Sequence, residues 1–222
     1  MIYVGGVPFH RSSTNEGTCD LIALMEHPAL VSASLSFKAI PERKFSASEA
    51  SSDGLTKSKH VYLFQREYAT VDPALVDLIG TDEATTCVGI VIRNRDNGMT
   101  SLAHMDSPKI VDIGLSQMLP KLVDHKLEAE LDVHLVGGFE DAPSNSTDGS
   151  AGSETYAEAA GHSFPLCAKI IDALGKSPVK FHIQTLFVLG HNTRRDPERN
   201  VLPIFTGLMV ETLTGRVTPA SF

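Results

Sequence analysis

Three side chains in the stretch IGTDEATTCVGIVIRNRDNGMTSLAHMD have the makings of a nucleophilic site: Cys87, His104 and Thr81. A thiol beside an imidazole can pass its proton to the ring, and the resulting ion pair draws the thiol pKa from about 8.5 toward or below neutrality. The thiolate can then attack a carbonyl or carboxamide carbon, while the protonated histidine returns its proton to the leaving amine or ammonia. A third polar group usually fixes the imidazole, and Thr81, in the loop GTDEATTC, carries a hydroxyl suited to that task. The same residues also suit plain packing, because cysteine is among the most buried residue types and most buried thiols are inert.

A hairpin is what would bring Cys87 and His104 together. Cys87 to Asn94 is rich in Val and Ile, Arg95 to Gly98 (RDNG) is a strong turn signal, and Met99 to Met105 reads as the return strand. With a four-residue turn, opposed residues have an index sum of 193, so that Gly89 faces His104 and Cys87 lies two residues away on the same face. The diagonal separation is then about 7–8 Å, within reach of an imidazole. A two-residue Asn97-Gly98 turn raises the sum to 195 and still keeps both residues on one face. The opposite face carries Val88, Ile90, Ile92, Ala103 and Met105, a core-forming set. The cysteine face carries Gly89, Thr100, His104 and Asp106, with Gly89 leaving open space beside the thiol.

The rest of the chain alternates helices with strands. Asp20 to Ala39 reads as one or two helices broken at Pro28; Lys109 to His125 has a helical apolar stripe with a kink expected at Pro120; a further helix covers Leu166 to Leu174. HVYLFQRE, LDVHLVGGF and VKFHIQTLFVLG read as strands, and FTGLMVETL with RVTPASF as a closing hairpin. The basic stretch HNTRRDPERN reads as a turn, and residues 41–59 and 140–153 as exposed loops. The expectation is one mixed α/β domain over residues 1–222, its sheets covered by helices on at least one side. His134, alternating with Val133 and Leu135, reads as a structural histidine, and Cys19 and Cys167 as core or near-surface thiols in helices.

Composition narrows the function class. The 222 residues are 42% hydrophobic and 21% charged, and the net charge of -8 disfavours nucleic acid and anionic membrane as main partners. Three cysteines make no disulfide framework or Cys-x-x-Cys pair, and nine histidines give no His-x-x-x-His pair in a ligand-like setting, so no metal is expected. The start, MIYVGGVPFHRSS, lacks the pattern of a signal peptide, and no apolar run approaches the ~20 residues a membrane helix needs. The cytoplasm, or the nucleus, is the expected compartment.

IGTDEATTCVGIVIRN, GMTSLAHMD and LDVHLVGGFEDA, in that order and with those gaps, resemble the eukaryotic protein N-terminal asparagine amidohydrolases, and FTGLMVETLTGRVTPASF resembles a later hairpin of the same family. The resemblance implies an α-β-β sandwich of the kind shared with cytotoxic-necrotising-factor-like cysteine hydrolases and bacterial chemoreceptor glutamine deamidases. It implies deamidation of an N-terminal asparagine to aspartate, which primes proteins for arginylation and degradation. Cys87 takes the nucleophile's place and His104 the histidine's. Thr81 stands where family members carry serine, and the bacterial deamidases look to use threonine there. The implied substrate is a protein or peptide with a free N-terminal Asn, and no cofactor is needed; no oligomeric state is implied. A free α-ammonium must also be read, and Asp82, Glu83 and Asp106 are the nearest carboxylates, with the Gly137-Gly138 backbone either admitting a peptide or only permitting a tight turn. Family members continue past the point matching Phe222, so a truncated, incomplete domain is expected. A weak or inactive homologue acting as a binding module and a glutamine deamidase of internal side chains stand as rival readings.

Overall fold

Alternation within the central strands decides the layering of the fold. The computed structural model describes residues 1–10, 17–45, 59–123, 129–141 and 161–222. Along the chain these form β1 (Ile2–Val4), β2 (Val7–Pro8), α1 (Gly17–Met25), α2 (Pro28–Lys38), β3 (Arg43–Lys44), β4 (His60–Leu63), β5 (Tyr68–Val71) and β6 (Leu78–Thr81). There follow β7 (Val88–Asn94), β8 (Thr100–Met105), α3 (Val111–Val123), β9 (Glu130–Gly137), α4 (Ser163–Lys176) and β10 (Lys180–Phe187). β11 (Thr193–Arg195), β12 (Val201–Pro203), β13 (Leu208–Glu211) and β14 (Arg216–Ser221) complete it. Among the described residues no helix is long and apolar enough to cross a membrane.

Val88, Ile90 and Ile92 of β7 point to one side of a seven-stranded sheet ordered β2-β1-β10-β9-β7-β8-β5. There they join Leu131, Val133 and Leu135 of β9 and meet Leu21 and Leu24 of α1, Met118 and Leu122 of α3, and Leu166 and Ile170 of α4. The other side carries Val91, Leu102, Val136 and Phe187, which pack on Ile79, Leu208 and Val210 of a five-stranded sheet ordered β3-β14-β13-β6-β4. Helices, large sheet and small sheet make three layers with two apolar cores, an α/β fold arranged α-β-β as the sequence implied.

The β7–β8 hairpin adopts the predicted register, with Val88 opposite Met105 and Gly89 opposite His104. Its turn is closed by Asn94, whose side-chain oxygen accepts from Asp96 N at 2.7 Å, and by Gly98, held at φ +74°. The helix break at Pro28 and the closing β13–β14 hairpin also match expectation. Other expectations need correction. HVYLFQRE is strand only as far as Leu63, because the Glu67 carboxylate takes the Phe64 N–H at 2.9 Å and Arg66 turns into the left-handed region at φ +68°. HNTRRDPERN is more than a turn: it contains β11, which pairs with β12. Within the loop expected over 41–59, Arg43 and Lys44 form a strand parallel to β14, while 46–58 and, in the second loop, 142–153 lie outside the described residues. β1, β5 and β6 are strands too short to stand out in sequence.

A bulge between Ile183 and Thr185 shifts the register of β10 against β9. Thr185 thereby shares a face with His134 and hydrogen-bonds its Nδ1 at 3.0 Å, which gives His134 the structural role read from the sequence. Burial pushes its pKa down from 6.5 to about 4. Over that interval the unfolded chain binds a proton that the folded chain refuses, so this contribution to stability is full above pH 6.5 and lost as pH falls toward 4. Urea midpoints should therefore decline as pH is lowered from about 7 to about 4, and less steeply in His134→Asn. Equal slopes in the two proteins would assign the loss to other groups.

Candidate active site

Thr81 ends β6 in the small sheet, not a loop as its sequence context suggested, and its hydroxyl crosses the gap between the sheets. Oγ1 lies 2.8 Å from the Leu63 carbonyl oxygen and 2.8 Å from His104 Nδ1. A hydroxyl has one hydrogen, and a carbonyl can only accept, so that hydrogen goes to Leu63. The bond to the ring must then run from His104 Nδ1–H to Thr81 Oγ1. This fixes the tautomer with Nε2 bare, and among the described residues Nε2 is buried without a hydrogen-bond partner. His104 and Thr81 are almost wholly enclosed, at 3% and 0% exposure.

Cys87 sits in the bend just before β7 and belongs to neither apolar core. The hairpin register, carried one pair beyond Val88–Met105, sets it across from Asp106 and diagonal to His104. Asp106 acts electrostatically on both the thiol and the ring, as expected for three groups on one face. Gly89, between them, does not leave open space as its size suggested. A Cβ there would lie 2.8 Å from Leu208 Cδ2 and 3.5 Å from Thr81 Cγ2, so the missing side chain admits the small sheet.

The loop that carries the nucleophile is held from several directions. Ala84 N donates to Thr206 O at 2.7 Å, and Ser163 Oγ, at the start of α4, donates to Thr86 O at 3.4 Å. Gly137 (φ +113°) and Gly138 (φ +54°) are both buried against this loop, and a Cβ on Gly137 would fall 2.7 Å from the Cys87 carbonyl oxygen. Gly137 is the last residue of β9, and Gly138 follows it into the loop. Gly207, which sequence reasoning passed over, serves the same loop from the other side: a Cβ there would lie 2.7 Å from Thr81 O and 2.6 Å from Asp82 Cβ.

The three candidate carboxylates differ sharply. Asp82 is buried, with one oxygen accepting from the Tyr62 hydroxyl and the other from Phe222 N at 2.6 Å. Glu83 is exposed and holds φ +57° in the left-handed region. Asp106 accepts from Gln65 Nε2 at 2.9 Å and Arg66 Nε at 2.5 Å, both on Oδ2, while Oδ1 is buried with no partner among the described residues. Gln65 and Arg66 come from the turn after β4 and had no signal in the sequence; the place of Asp106 across from Cys87 was available from the hairpin sum.

Electrostatics correct one expectation. Burial, and then the Asp106 charge, push the Cys87 thiol above its ordinary value, against a hydrogen bond from Thr86 and the Arg66 charge. Burial pulls His104 below its ordinary value, against Asp106, Asp82 and Glu83. Burial also opposes ionisation of Asp106, but Arg66, Gln65 and, more weakly, the Ser107 hydroxyl hold its carboxyl below the usual range. The resting pair is thus neutral thiol and neutral imidazole beside a carboxylate, not a preformed thiolate–imidazolium. Such a site can take a proton from sulfur onto Nε2 during attack on an electrophile. Among the described residues no cluster of His, Cys, Asp and Glu suits a metal ion.

The model of the family described as protein N-terminal asparagine amidohydrolase matches residues 50–222. The protein N-terminal asparagine amidohydrolase of Arabidopsis thaliana is 53% identical over the whole of this chain, which covers 65% of that protein. Those of Sus scrofa and Homo sapiens are 31% and 30% identical over 73% of the chain, which covers 48% of each. The chain therefore spans about two thirds to half the length of these curated relatives.

Alkylation of Cys87 by iodoacetamide, followed by peptide mass spectrometry, should rise with a midpoint above the ordinary thiol value and shift to lower pH in Asp106→Asn. A midpoint near neutrality would mean that the ion pair forms without substrate.

Proposed function

The chain belongs to the protein N-terminal asparagine amidohydrolase family, and from that premise we propose that it hydrolyses the side-chain amide of an N-terminal asparagine, in a protein or peptide, to aspartate and ammonia. The observation that carries this proposal is the Thr81–His104 bond, which leaves a bare Nε2 on the face that Cys87 shares.

In the first half-reaction Cys87 Sγ attacks the carboxamide carbon as its proton passes to His104 Nε2. The carbonyl oxygen becomes an oxyanion, which backbone N–H groups of the bend, including that of Cys87, would hold; such donors contribute about 3–4 kcal/mol each. His104 then returns the proton to the leaving nitrogen. Ammonia departs and a thioester remains on Cys87. In the second half-reaction His104 Nε2 takes a proton from water, the hydroxide attacks the thioester carbon, and the thiol is regenerated with aspartate as product. Throughout, Thr81 keeps Nδ1–H engaged so that Nε2 alone handles protons. The lowered His104 pKa suits this cycle, since the ring must start neutral to act as base. No step needs a metal or an organic cofactor. In the cytoplasm or nucleus such a product would feed arginylation and ubiquitin-dependent degradation, the N-degron route.

One observation favours a second reading, a binding module without turnover: among the described residues Nε2 is without a hydrogen-bond partner, so the thiol and ring are not in proton-transfer contact.

Purified protein incubated with an Asn-initiated peptide should release ammonia. Cys87→Ala and His104→Ala should abolish release, Thr81→Ser should retain most of it, and Thr81→Val should lower kcat about 10- to 100-fold by stranding Nδ1–H. A folded protein that binds the peptide but releases no ammonia would favour the module. Equal turnover of free and N-acetylated Gln-peptides would favour the glutamine deamidase.

A further inference from the structure

The proposed reaction requires that an asparagine at a chain start be told from one inside a chain, and the only covalent difference at the reacting residue is its free α-ammonium. In asparagine that nitrogen stands three bonds from the carboxamide carbon, about 3–4 Å away. Whatever reads it must therefore lie within one contact of the thiol. The structure separates the carboxylates by this criterion and by their remaining hydrogen-bonding capacity. Asp82 has each oxygen already engaged once, by Tyr62 and by the Phe222 N–H, and so leaves neither wholly unmet. Glu83 is exposed, where a lone charge is screened by water.

We propose that Asp106 Oδ1 is the acceptor for the substrate's α-ammonium, and that its fixed distance from Cys87 Sγ acts as a ruler selecting asparagine over glutamine; this rests on the deamidase reading above. Three observations support the assignment. The hairpin register, extended by one pair, sets Asp106 across from Cys87, where opposed Cβ atoms are about 4.5–5.5 Å apart. Its side chain is only 6% exposed, yet Oδ1 has no partner among the described residues, a costly state for a carboxylate oxygen unless something fills it. Gln65 and Arg66 both donate to Oδ2, anchoring that oxygen and leaving Oδ1 as the acceptor not yet met by either. Arg66, whose side chain is 70% exposed, bonds Oδ2 through Nε and leaves Oδ1 to another cation. Glutamine adds one methylene between ammonium and carboxamide, so it cannot satisfy Oδ1 and present its carbon to Sγ in the same pose. One methylene of misfit discriminates about 10- to 200-fold.

The test is a cycle between protein and substrate: parent and Asp106→Asn, each assayed on an Asn-initiated peptide and on the same peptide lacking the α-amino group. The parent should prefer the amine-bearing peptide about 30-fold or more in kcat/KM, and Asp106→Asn should reduce that preference to within about threefold. The parent should also prefer Asn- to Gln-peptides, with the gap narrowed in the variant. A variant that loses activity on both peptides equally, or keeps the full preference for the amine, overturns the assignment while leaving deamidation standing. Calorimetric binding to Cys87→Ala and to Cys87→Ala/Asp106→Asn separates the other case. Amine-dependent binding lost with Asp106, in a parent that releases no ammonia, would uphold the subsite and overturn the deamidase reading. Amine-independent binding would overturn the subsite.

Discussion

One hydrogen bond across the gap between two sheets organises the site. The Thr81 hydroxyl, committed as donor to the Leu63 carbonyl, has only lone pairs left for the ring, so the ring must offer Nδ1–H. This sets tautomer and orientation at once without any charge. It also makes the site a property of the interface, because Thr81 belongs to the small sheet and His104 to the large one. The glycines follow from this constraint. Gly89 lets Leu208 and Thr81 approach the hairpin, and Gly207 lets β13 and β14 close on the Thr81–Asp82 backbone. A methyl group at either position would be felt where the imidazole is held.

Burial within that interface has two electrostatic consequences. It raises the thiol and lowers the imidazole, so the ion pair common in thiol enzymes is disfavoured at rest. Neutral, buried partners resist adventitious alkylation and oxidation, since the thiolate is the reactive form. The Asp106 carboxylate deepens this quiescence by its charge on the sulfur. A cation arriving at Asp106 would relieve that charge, which links arrival of a substrate to readiness of the nucleophile.

The hairpin was legible because its information is local: alternation in VGIVIRN, the RDNG turn and the return strand fix the register by counting. The same count would have set Asp106 across from Cys87. What the sequence withheld came from residues distant along the chain. Gln65 and Arg66 reach Asp106 from a turn made by the Glu67 carboxylate capping Phe64, a side-chain effect that hydrophobic periodicity does not register. Gly89 was misread because what fills its space is Leu208, from the far end of the chain. β6 looked like loop because its pairing with β13 and β4 is long-range and its four residues are too few for a pattern. The sign of the thiol shift was missed for the same reason: burial is a tertiary quantity.

The even count of residues in the RDNG turn restricts how the gene can vary. Side chains on a strand change face with every single-residue slip. Losing or gaining one codon between Asn94 and Met99, unless a bulge absorbs it, would rotate His104 and Asp106 into the helix-side layer and bring Ala103 and Met105 to face the small sheet. Viable lineages should therefore carry length changes here in pairs, a parity rule on insertion and deletion set by pleat geometry.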